Sequence, residues 1–126
     1  MNVLVDSSVW IQHFRQHDEH LATLLEHGRV VCHPYIVAEI ACGTPPRRQN
    51  IIAMLTELET TPVASQGELL ALIERRNLSV RGCGFVDISL LASALLSGQT
   101  LVWTLDQRLE SVAMKANVVY RAVFNA

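Results

Sequence analysis

Four acidic residues carry the chemistry available to this sequence: Asp6, Glu39, Asp87 and Asp106. Asp6 directly follows the apolar run 3–5, and Asp106 comes two residues after Thr104, which ends the run 100–104. Glu39 lies one turn past Pro34, between Ala38 and Ile40. Asp87 opens the most hydrophobic stretch, one turn before Leu91. Carboxylates beside apolar segments are costly unless something pairs with them. Each has an ordinary alternative: a turn residue at Asp6, an exposed helix position at Glu39, a helix-dipole partner at Asp87 and an N-cap at Asp106. Lysine occurs only at Lys115, so a shared cation is the economical partner for all four. Oxygen-only ligands select Mg²⁺ or Mn²⁺ over zinc. Such ions generate hydroxide from water and stabilise the leaving oxygen in phosphoryl displacement. With no lysine, serine or cysteine nucleophile in the cluster, the pattern predicts hydrolysis by metal-activated water.

The elements that would position these acids are short and alternate in type. Strands are predicted over 3–5, 30–32, 61–64, 100–104 and 118–120, from β-branched and leucine runs. Helices are predicted over 9–14, 17–27, 34–41, 47–59, 67–77, 86–97 and 107–115. Ser7 and Ser8 suit a helix start, Pro34 a first turn, and Gly28, Gly43 and Gly98 helix stops. Residues 44–46 read as a linker and 81–84 as a loop. Strands alternating with helices imply an α/β fold with a parallel sheet of about five strands, covered on both faces. Ligands in such folds bind beyond the carboxyl ends of the strands, which is where Asp6 and Asp106 fall.

Composition narrows the classes. The chain has 126 residues, 50% hydrophobic and 17% charged, with net charge −2. Residues 1–126 therefore form one domain, too apolar for disorder and without a broad basic field for gripping nucleic acid. Three cysteines without C-x-x-C spacing suggest neither a disulfide framework nor a zinc knuckle and fit a reducing, cytoplasmic setting. The start MNVLVDSSVW has no basic n-region, so no signal peptide is expected. The stretch 88–96 is too short for a membrane span. His13, His17 and His20 share helical spacing, but Leu21, Leu24 and Leu25 define the buried side, so the stripe reads as a solvated face. Trp10 and Trp103 read as core.

The segments V-L-V-D-S-S-V-W (3–10), A-E (38–39), F-V-D-I-S-L-L-A-S-A-L-L (85–96) and V-W-T-L-D-Q-R-L (102–109) closely resemble PIN-domain ribonucleases. Order, spacing and length are similar to the VapC toxins of bacterial toxin–antitoxin pairs. The resemblance implies a three-layer α/β/α sandwich and Mg²⁺- or Mn²⁺-dependent cleavage of RNA, with Asp6, Glu39, Asp87 and Asp106 at the acidic metal-binding positions. It places Ser8 and Thr104 at the hydroxyl positions that orient carboxylates or waters. It also implies a homodimer and inhibition by a VapB antitoxin. Many PIN domains carry a further acid where this chain has Arg108, so a complete second metal site is not implied. Arg108 is instead the candidate RNA contact. The alternatives within the same reading are a PIN-like module that binds RNA or protein without cutting, and a nuclease acting on single-stranded DNA or in general RNA turnover.

Overall fold

Strand β1 (Asn2–Val5) owes its central place to three consecutive apolar residues. Successive side chains of a strand point to opposite faces, and Val3, Leu4 and Val5 are all fully buried. Both faces of the sheet are therefore covered, each such side chain contributing roughly 1.5–3 kcal/mol. In a computed structural model that describes residues 1–122, β1 lies between β2 (Val30–Cys32) and β4 (Thr100–Trp103), with β3 (Glu59–Thr60) outside β2. All pairings are parallel, with Val3 opposite Val30 and Leu101, and Val5 opposite Trp103.

Helices α1 (Ser7–Arg15) and α2 (Glu19–Glu26) join β1 to β2. Helices α3 (Pro34–Ala41) and α4 (Arg48–Glu57) join β2 to β3. Helix α5 (Gln66–Arg76), a 3-10 turn (Leu78–Val80) and α6 (Phe85–Ser97) join β3 to β4, which α7 (Gln107–Lys115) follows. One helical group is α1, α3 and α4; the other is α5, α6 and α7, with α6 also packed on β4. The result is the expected three-layer sandwich. The strand order β3-β2-β1-β4 reverses direction at β1. The chain steps outward from β1 to β3 on one side, then crosses to β4 on the other. In an open α/β sheet that reversal leaves a crevice at the carboxyl ends of the strands.

Two strand expectations are corrected. The third strand is Glu59–Thr60 rather than 61–64. Thr61 still donates to the Cys32 carbonyl at 2.9 Å, but Pro62 has no N–H to continue the ladder. The expected fifth strand at 118–120 is a single parallel bridge, Val102 to Val119, so the sheet has four strands rather than five. The histidine stripe is broken because α1 ends at Arg15 and Asp18 caps a separate α2, its side chain accepting from the Leu21 amide at 2.9 Å. Trp10 and Trp103 are core residues, as expected. Leu70 faces solvent.

Candidate active site

The crevice at the reversal point is built around Asp6. Its backbone amide continues the β1–β4 ladder by donating to the Trp103 carbonyl at 2.9 Å. This fixes the residue just as the strand gives way to α1. Asp6 occupies the N-cap position of α1, but its side chain does not cap that helix. The carboxylate instead turns into the crevice, where it is 5% exposed. A carboxylate that buried requires donors, and two hydroxyls supply them. Ser8 Oγ donates to Asp6 Oδ2 at 2.7 Å and Thr104 Oγ1 donates to the same oxygen at 2.8 Å.

Both hydroxyls are themselves held. The Leu105 amide donates to Ser8 Oγ at 3.0 Å, and the Asp106 amide donates to Thr104 Oγ1 at 3.0 Å. A closed network thus ties the end of β1 to the end of β4 across nearly the whole sequence. Ser8 and Thr104 thus share one acceptor, the Asp6 carboxylate. The serines do not cap α1 as their type suggests.

Asp106 is the N-cap of α7, the ordinary reading of its type. Its Oδ1 caps α7, accepting from the amides of Arg108 at 2.8 Å and Leu109 at 3.2 Å. Among the described residues only that oxygen is engaged. The Thr104 hydroxyl, three residues before Gln107, makes no capping box with it and serves Asp6 instead.

Asp87 and Glu39 close the other sides. Asp87 lies in the first turn of α6. Its carboxyl is raised above the usual range, first by desolvation and then by repulsion from Asp106, Asp6 and, more weakly, Glu39, while the Gly84 backbone pulls the other way. Glu39 lies on the exposed side of α3, not beside the core as its neighbours suggest. Its carboxylate is nonetheless partly desolvated, which raises its pKa; repulsion from Asp6 adds, and the hydrogen bond from Ser7 opposes. That bond runs from Ser7 Oγ to Glu39 Oε1 at 3.1 Å. The four acids therefore feel one another, and among the described residues neither ion pair of the protein involves any of them.

Two neighbours escaped the sequence reading. Ser7 positions Glu39, and its only signal was adjacency to Asp6. Cys83 stands beside the acids: burial raises its thiol pKa most, Asp87 and Asp106 raise it further, and Arg108 lowers it. Arg108 folds back over the 81–84 loop, its Nη1 donating to the Gly82 carbonyl at 3.3 Å. Gly82 turns there at φ +76°.

Among the described residues, no three His, Cys, Asp or Glu side chains close into a ready-made metal cage. The donor set still fits a hard divalent cation. It is all oxygen, the proton affinities of Asp87 and Glu39 are raised by burial and by neighbouring acids, and among the described residues no ion pair answers the four. Mg²⁺ keeps several waters and needs only one or two carboxylates directly, so an open arrangement suits it better than a closed one.

Comparison with known proteins supplies the family. The PIN domain family profile matches residues 3–115. The chain is 40% identical over 116 residues to Ribonuclease VapC32 of Mycobacterium tuberculosis strain CDC 1551 / Oshkosh, covering 92% of this chain and 94% of that protein. The same figures hold for Ribonuclease VapC32 of strain ATCC 25618 / H37Rv.

Proposed function

The chain belongs to the PIN-domain family, and on that footing we propose that it is a VapC-type endoribonuclease toxin that hydrolyses RNA phosphodiester bonds. In this reading Asp6, Glu39, Asp87 and Asp106 hold Mg²⁺ or Mn²⁺. The observation that carries it is the gathering of the three other acids about Asp87, whose proton affinity is raised first by burial and then by their repulsion, with no ion pair to offset it among the described residues.

The bound ion supplies an activated water and positive charge for displacement at phosphorus. The residues of the chain do the rest. Ser8 and Thr104 hold one oxygen of Asp6 still, so its orientation is set before substrate arrives. The α7 amides fix Asp106 in the same way. Glu39, held by Ser7 and carrying a raised pKa, is placed to take a proton from water at its carboxylate.

A VapB-type antitoxin is the expected partner. A cleft of about 250 Å³ beside Glu39, lined by Ile11, Phe14, Arg15, Ile40 and the 43–46 segment, offers a peptide an apolar floor next to the acids. Homodimerisation and a reducing cytoplasmic setting belong to the same proposal. All three cysteines are free, and among the described residues no helix is long and apolar enough to cross a membrane.

The test is cleavage of total and structured RNA by the purified chain with Mn²⁺, with Mg²⁺ and with EDTA, beside Asp87→Asn. Metal-dependent cleavage by the parent and none by the variant is expected. RNA binding with no cleavage under any metal would favour the non-cutting module.

A further inference from the structure

Positive charge is unevenly distributed over this surface. Of ten lysines and arginines in the chain, five line two adjoining hollows on one side: Arg75, Arg76, Arg81, Arg108 and Lys115. The hollows, of about 280 and 350 Å³, share Arg81 and Val112, so they form one trough. No acidic residue lines either hollow. Among the described residues, none of the five cations takes part in an ion pair.

Three separate elements bring these charges together. Arg75 and Arg76 end α5, and Arg81 follows the 3-10 turn. Arg108, Ser111, Val112 and Lys115 share one face of α7 at i, i+3, i+4 and i+7 spacing. That face runs about 10 Å from Arg108 to Lys115. Complementing helix dipoles explains arginines at the end of α5 and a lysine at the end of α7. It does not explain Arg81 and Arg108, nor why two helix ends converge on one hollow. Five like charges lining one trough with no ion-pair partner among the described residues leave positive charge that a polyanion would complement.

The trough begins at the acids. Arg108 follows Asp106 by two residues, and its guanidinium reaches the Gly82 carbonyl beside Cys83. A strand whose phosphate lies at the carboxylates is thus delivered directly into the basic channel. Val80, which is 70% exposed, lines the channel between the cations and offers an apolar contact for a sugar or base.

We propose that Arg75, Arg76, Arg81, Arg108 and Lys115 form the track for the phosphodiester backbone of the RNA strand that flanks the cleaved bond. This rests on the endoribonuclease reading and adds to it the path of the substrate away from the acids. Phosphate contacts of this kind set register and affinity without reading sequence.

The experiment uses the full chain carrying Asp87→Asn, so that RNA is bound without being cut. Fluorescence anisotropy with a short mixed-sequence single-stranded RNA, in the presence of Mn²⁺, gives affinity from about 50 to 200 mM KCl. Adding Arg76→Gln with Arg81→Gln should weaken binding and lower the salt slope by about 1.4, or about 0.7 per cation removed from a single strand. Arg76→Lys with Arg81→Lys should restore the slope. The charge-matched pair Arg29→Gln with Arg47→Gln, away from the trough, should leave it unchanged. An unchanged slope in the Arg76/Arg81 glutamine pair would overturn the track, even if the parent protein cleaves RNA normally. Loss of poly-glutamate binding in that pair, with RNA binding intact, would also overturn it, in favour of an acidic protein partner. If the slope falls as expected but the parent never cleaves, the track stands and the nuclease reading fails.

Discussion

The acidic crevice and the basic trough share the start of α7 yet are built on opposite plans. In the crevice, Asp6 is buried and gripped by two hydroxyls, each anchored by a backbone amide. In the trough the cations are exposed, and among the described residues only Arg108 has a hydrogen bond from its side chain to a neighbour. The contrast suits the roles proposed for each. Chemistry on phosphorus depends on donors and charges fixed before the reaction. Holding a flexible polyanion depends on the number of charges and tolerates mobile side chains.

Breaking the fixed side should cost most. Asp6→Asn keeps size and one acceptor oxygen for Ser8 and Thr104 but removes the charge. Cleavage should fall on the order of 10³-fold, as expected when a main electrostatic contributor is lost. Circular dichroism melting should stay near that of the parent, and a variant that cuts RNA at the parental rate would remove Asp6 from the mechanism. Thr104→Val tests the wiring alone. It frees Asp6 Oδ2 from one donor and strands the Asp106 amide, so activity or Mn²⁺ affinity should drop about 10–100-fold. The Mn²⁺ concentration for half-maximal cleavage is the readout.

Asp87→Asn separates function from stability. The raised pKa of Asp87 means that the folded state binds its proton more tightly than the unfolded chain does. Stability contributed at this site therefore rises as pH falls through the folded pKa towards the unfolded value, and the charged form costs stability at neutral pH. In EDTA at pH 7 the asparagine variant should melt a few degrees above the parent. The gap should narrow as pH is lowered, and Mn²⁺ should stabilise the parent more than the variant. A gap that is constant with pH would mean that the site charge is not the cause. The trough should show the smallest single effects: Arg76→Gln alone should weaken RNA binding severalfold, mostly at low salt, with the salt slope smaller by about 0.7.

The legible parts of this molecule are those encoded locally. The run 3–5 and its terminal acid announce a buried strand that delivers Asp6 to its carboxyl end, and 100–104 does the same for Asp106. Pro34 and Gly98 mark helix limits that the structure keeps. What local pattern hid was convergence. That Ser8 and Thr104 donate to one oxygen depends on the pairing of β1 with β4. That Arg75, Arg76 and Arg81 join Arg108 and Lys115 depends on how α5 and the loop after it meet α7, so the sequence marks Arg108 alone, by its nearness to Asp106. Net charge misled in the same way, because it sums a crevice and a trough that lie side by side. The histidine spacing is interrupted for a local reason present in the sequence: Asp18 is a capping residue, and it starts a new helix.

The partnership of β1 with β4 also sets an order of events. A chain emerging from the ribosome presents Asp6, Glu39 and Asp87 well before residues 100–106, which supply the strand beside β1, the Thr104 hydroxyl and Asp106. The contacts that organise Asp6 span 98 positions, so their loop can close only late in synthesis. Until then the nascent protein carries three of its acids without the fourth or the framework that aligns them. The acid cluster is completed only once residues 100–106 have emerged, so translation itself delays its assembly.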